Sequence, residues 1–137
     1  MNSLFLVVPI FLPIILGAVS FVIPENKKLI RNIFVMATIV CSSVFVWILA
    51  LNTPQESLEL LKFTDNLTFV LRLDGAGKIF SCLSATLWPL TALYAFEYMS
   101  HEKRLKMFYS FFTMSFGAVM GITYSSNILT MYLFYEL

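Results

Sequence analysis

LFLVVPIFLPIILGAVSFVI, residues 4–23, runs for about 20 residues without a charged side chain. At 1.5 Å per residue, a helix of that length crosses a hydrocarbon core of about 30 Å. The stretch therefore reads as a first transmembrane helix. A secretory signal peptide carries Lys or Arg ahead of its apolar region, whereas only Met1, Asn2 and Ser3 precede this one, so the segment is expected to stay uncleaved. Pro9 and Pro13 each remove a helical hydrogen bond, which predicts a bend in the outer half, and Pro24 is placed to end the helix.

The composition agrees with that reading. The chain has 137 residues, of which 59% are hydrophobic and 12% charged, at a mean hydropathy of +0.84. One soluble core of this size cannot hide so much apolar surface. A net charge of +1, with no run of like charges, offers nothing for nucleic acid to bind, so no nucleic-acid partner is expected. Cys41 and Cys82 lie inside apolar runs and read as small buried residues rather than as a disulfide or metal ligands.

Further spans follow in order. The second is expected over 33–51, closed by Asn52, Thr53 and Pro54. The third covers 77–98 and contains Pro89, and the fourth covers 107–124. Ser125, Ser126 and Asn127 have capping chemistry, and Asn127 is the expected N-cap of an incomplete fifth run over 128–137. The fold class is thus an all-α integral membrane domain: four transmembrane helices, the start of a fifth, and a short extracellular β-hairpin between the second and third. The hairpin is read from Leu67, Phe69, Leu71 and Leu73 alternating with Thr68, Val70, Arg72 and Asp74, which is the period of a half-buried strand. Asp65 and Asn66 serve as its turn, and Leu58 to Phe63 is a weaker partner strand.

Loop charges set the direction. Lys27, Lys28 and Arg31 lie in the loop 24–32 with one Glu25, and Lys103, Arg104 and Lys106 lie around the loop 99–106 with Glu102. The intervening loop carries Glu56, Glu59, Asp65 and Asp74 against Lys62 and Arg72. The positive-inside rule then puts the N-terminus outside and both basic loops in the cytoplasm.

With that direction the fifth run enters from outside. Glu136 lies nine residues past its cap, and nine rises carry it about 13 to 14 Å inward, near the middle of the membrane. A carboxylate at that depth is costly unless it meets a polar cavity, a partner or a proton, which makes Glu136 the first candidate for proton transfer. An ion pair or hydrogen bond made purely for packing is the alternative. Glu97 and His101 are minor candidates near the cytoplasmic end of the third span. A surface pair of Glu97 with Lys103 or Arg104, and a solvated loop histidine, are equally acceptable readings. Asp74 and Lys78, four apart at the start of the third helix, read as structural anchors. Gly117 and Gly121 are four apart on the fourth helix, a spacing that lets another helix approach closely. No phosphate-binding glycine loop, paired-cysteine metal site or nucleophile with a nearby base is present, so no catalytic residue, cofactor or metal is expected.

Several of these residues carry a family resemblance. A hairpin followed by Leu73, Asp74 and Gly75 opening a helix that closes through Tyr94, Tyr98 and Met99 resembles the antiporter-like subunits of proton-pumping membrane complexes. So do Phe108, Tyr109, Phe111 and Phe112, then Ser126, Asn127 and Leu129, then Phe134, Tyr135, Glu136 and Leu137. That family takes in the large membrane subunits of proton-translocating NADH:quinone oxidoreductase, the multisubunit Na+/H+ antiporters and the membrane arms of energy-converting hydrogenases. Its Asp-Gly-Leu-Ser-like sequence reads Asp74, Gly75, Ala76, Gly77 here.

The resemblance implies that residues 1–137 are the N-terminal part of a larger transmembrane domain in a prokaryotic plasma membrane. Its partners would be other membrane subunits, with protons and, in exchange, sodium ions as cargo. In the family the glutamate matching Glu136 pairs with a lysine on a later helix, and that lysine is not in this sequence. Eleven residues from Asn127 to Leu137 cannot cross the bilayer, so the expectation is a fragment of a longer product or a helix bundle completed by a second polypeptide. The alternative function is a non-transporting subunit that packs on its neighbours through the small residues of the fourth helix.

Overall fold

The structure, a computed structural model, describes residues 3–52, 57–64 and 67–137. A turn of 3-10 helix, Ser3–Leu6, leads into α1 (Val8–Ser20), followed by α2 (Lys28–Asn52), β1 (Ser57–Thr64), β2 (Leu67–Arg72), α3 (Gly75–Tyr98), α4 (Leu105–Tyr124) and α5 (Ile128–Glu136). Three stretches, Lys28–Asn52, Gly75–His101 and Leu105–Tyr124, are long and apolar enough to cross a membrane, and Val8–Ser20 is a shorter apolar helix.

The first two helices depart most from the reading of the sequence, while α3 and α4 each begin two residues earlier than expected, which puts Lys106 in a helix. The first helix has 13 residues rather than 20; it starts at Val8, so Pro9 falls in its first turn, where a missing N–H takes no partner from the helix. Only Pro13 is internal. Beyond Ser20 the chain continues in tight turns, Phe21 to Ala18, Val22 to Val19 and Ile23 to Ser20, before Pro24. The second helix begins five residues earlier than 33, so Lys28 and Arg31 belong to its first turns and not to a loop. Of the residues read as its closure, Asn52 ends the helix, and Thr53 and Pro54 lie outside the described residues.

Packing centres on α4. Small side chains line α4 where α1 crosses it: a Cβ on Gly117 would overlap the carbonyl oxygen of Ile10, and one on Gly17 would meet Met114 Cγ at 2.7 Å. The hydroxyls of Ser20 and Ser110 are 2.6 Å apart in the same buried seam. On its other side α4 meets α3 through the Trp88 indole, which donates to the Phe112 carbonyl at 3.1 Å and stacks on the Phe112 ring at 5.6 Å. Outward from these seams the helices present Ile15, Leu51, Ile79, Leu90 and Phe111, all exposed, as an apolar coat suited to lipid.

The two strands pair antiparallel, Ser57 opposite Arg72 and Leu58 opposite Leu71, with irregularities between Glu59 and Leu61 and between Lys62 and Thr64. Leu71 and Leu73 of the alternating face are fully buried, whereas Arg72 is exposed. Asp65 and Asn66, read as the turn, lie outside the described residues. β2 is stitched to the junction of α4 and α5. Ser126 N–H donates to the Val70 carbonyl at 2.9 Å, and Val70 N–H donates to Thr130 Oγ1 at 3.0 Å.

Thr130 is fully buried, so its hydroxyl is the acceptor on which a buried backbone donor depends. Thr130→Val is expected to destabilise the fold by about 1–3 kcal/mol, and Thr130→Ser to be much milder. Thermal unfolding of the purified variants in detergent would check this, and equal midpoints for Val and wild type would contradict it.

Candidate functional site

α5 starts where the sequence places it. Asn127 has extended backbone, and its side-chain oxygen accepts from Thr130 N–H at 2.8 Å and from the Thr130 hydroxyl at 2.6 Å. Its amide group donates to the Thr68 carbonyl at 2.6 Å, so the cap is also tied to β2. Below the cap, Thr130 and Phe134 are the buried residues of α5, four apart on one face. The Phe134 ring fills the space left by the absent side chain of Gly121 on α4.

That contact fixes the direction of Glu136. Two residues past Phe134 is about 200° around a helix, so Glu136 lies away from the face held by α4, and it is exposed. Its height follows from its neighbour. Leu137 lines a cavity of about 240 Å³ with Ile14, Phe111, Met114, Ser115 and Ala118. Ile14 is central in α1, and Met114 and Ser115 are central in α4. The end of α5 is therefore level with the middle of the bundle.

The minor candidates lie at the opposite end. Glu97 is exposed near the end of α3, and His101 is exposed in the 3-10 turn Met99–His101 that follows. They are not brought together with Glu136. His101 lines a polar pocket of about 380 Å³ with Glu25, Lys28, Arg31, Ser100, Glu102, Lys103 and Leu105. Both basic connections thus meet at one end of the bundle, and the strands occupy the other. Asp74 behaves as an anchor: it caps α3, its carboxylate accepting from Gly77 N–H at 2.7 Å.

The pocket contains a residue that sequence reasoning assigned to a loop. Arg31 is only 1% exposed, and among the described residues none of its three guanidinium nitrogens has a hydrogen-bond partner. Its Cζ lies 5.8 Å from the ring centroid of Tyr109, whose hydroxyl donates to the Ala95 carbonyl at 3.1 Å. A charged donor buried without partners costs several kcal/mol. Cys41 and Cys82 are free thiols on α2 and α3, but neither is buried as the sequence suggested: Cys41 is exposed and Cys82 half-buried, because each lies on the outward, lipid-suited side of its helix. Among the described residues no group of His, Cys, Asp or Glu could hold a metal ion.

Three apolar helices of membrane-spanning length and a fourth shorter one make this a multi-pass membrane protein. The relatives say which kind. Over 101 residues the chain is 33% identical to the Na(+)/H(+) antiporter subunit A1 of Staphylococcus aureus strains JH9, Newman and JH1. The match takes in 69% of this chain and 12% of the length of each relative. No protein-family model matches the sequence. The chain is accordingly a partial homologue of a Na+/H+ antiporter subunit, consistent with the antiporter-like membrane-subunit family.

Proposed function

We propose that this chain is part of an ion-translocating membrane subunit of a multisubunit complex that moves protons in exchange for sodium, with Glu136 as its mid-membrane protonatable site. The carrying observation is an exposed carboxylate at the end of a helix that starts beside the strands and reaches half-way down the bundle. A carboxylate at that depth needs a polar cavity, a partner or a proton, and Glu136 is exposed among the described residues. The homology to an antiporter subunit supports the same reading. In the dehydrogenase and hydrogenase branches of the family the redox chemistry would belong to partner subunits.

The basic end, with Lys28, Arg31 and Lys103, faces the cytoplasm in this account, and the N-terminus and β-hairpin face outward. Proton movement measured in vesicles bearing the complete protein tests the assignment. Glu136→Gln should abolish it, and undiminished transport would contradict it.

The packing-subunit alternative asks α4 to offer its small residues to a neighbour. Gly117 is already filled by α1 and Gly121 by Phe134 of α5, so that face is occupied within the chain.

A further inference from the structure

We propose that the pocket at the basic end binds a phosphate oxyanion through Arg31, the phosphate being that of an anionic lipid headgroup or free phosphate. Arg31 is buried yet has five N–H donors on three unpartnered nitrogens, and it lines the pocket directly. The Tyr109 ring covers the guanidinium without accepting a hydrogen bond from it in the plane of the fork. The fork of N–H donors is therefore unsatisfied, and its geometry suits a planar or tetrahedral oxyanion held in bidentate fashion.

The surroundings suit an anion rather than a cation. Lys28 and Lys103 stand exposed on the rim, and His101 adds a third basic side chain. Glu25 and Glu102 also line the pocket, but both are exposed and neither pairs with the Arg31 guanidinium. Leu105 opens α4 into the same pocket, and the N-cap residue Arg104 supplies no side-chain cap. The first N–H groups of a 20-residue helix are thus left for a ligand, at the positive end of its dipole. The pocket lies where the basic ends of the spans meet, at the level of lipid headgroups. A phosphodiester there reaches Arg31 while its acyl chains lie along the exposed apolar faces of Leu29 and Ile30.

The complete protein in nanodiscs provides the test. With phosphatidylglycerol diluted in phosphatidylcholine, native mass spectrometry should show phosphatidylglycerol retained on the wild type. Arg31→Gln should weaken retention by about tenfold or more, the loss expected for one charged hydrogen-bonding group. Arg31→Lys should keep part of it, and Arg72→Gln, the same change of charge on β2 at the opposite end of the bundle, should leave it intact. Should Arg31→Gln fail to accumulate, Lys28→Gln on the exposed rim should lower retention severalfold. In discs of phosphatidylcholine alone, Arg31-dependent binding of inorganic phosphate would identify free phosphate as the source and support the oxyanion site. Retention and phosphate binding both insensitive to Arg31 and Lys28 would overturn the proposal. So would a carboxylate of another segment seated on the guanidinium in the complete protein.

Discussion

Gly117→Leu is expected to abolish accumulation of the protein in the membrane. A Cβ at this position meets three atoms of α1: the Ile10 carbonyl oxygen, Ile14 Cγ1 and, at 3.1 Å, Pro13 Cγ. One of these is backbone and another belongs to a proline ring, so neither can swing aside as the end of a flexible side chain would. Relief requires α1 to move away from α4, which would open the seam that also holds Gly17 against Met114 and Ser20 against Ser110. Even Gly117→Ala should destabilise by about 1–3 kcal/mol, as overpacking of a well-filled interior does. Gly75→Ala is the matched control. It lies at the start of α3 with no atom within 4 Å of an added Cβ, and it should be neutral or slightly stabilising. Abundance in membranes and thermal unfolding in detergent would separate the three variants. A Gly117→Leu protein as abundant and stable as Gly75→Ala would show that α1 does not pack as described.

The second large effect concerns transport. Glu136→Gln keeps the shape and hydrogen-bonding capacity of the side chain while removing its ability to exchange a proton, so it separates proton transfer from packing. An exposed position on α5 means that the substitution disturbs no contact described within the chain, and stability should be unchanged. If Glu136 relays the transported proton, the rate in vesicles should fall by at least about 100-fold, at the lower end of what a positioned proton-transfer group supplies. Glu136→Asp should retain intermediate activity, because it keeps the carboxyl but draws it back by one methylene.

Much of this was legible from residue order. Apolar runs located the helices because lipid imposes both length and composition on a span, and Asn127 announced α5 because capping is local chemistry settled within three residues. The alternation from Leu67 to Asp74 predicted buried Leu71 and Leu73 for the same local reason. Contacts between distant segments were not legible. Nothing in the sequence pairs Val70 with Thr130 or Asn127 with Thr68, yet these bonds fasten β2 to the start of α5 and thereby set the height of Glu136.

Arg31 was misplaced for a related reason. Counting charges between apolar runs assigns every basic residue to a loop, whereas a long side chain in the first turns of a helix can fold onto a ring of another helix, here Tyr109. An arginine three residues inside the helix, flanked by Leu29, Ile30 and Ile33, was the available signal. The spacing of Gly117 and Gly121 announced close packing but not its partners, and those turned out to be α1 and α5 of the same chain.

The function proposed for Glu136 requires it to take up and release a proton within the membrane. Infrared difference spectra of the complete protein, stepped through pH for wild type and Glu136→Gln, observe that event at the carboxyl group itself. A protonated-carboxyl band is expected in the wild type and not in the Gln variant; identical difference spectra for the two proteins would contradict the role proposed for Glu136.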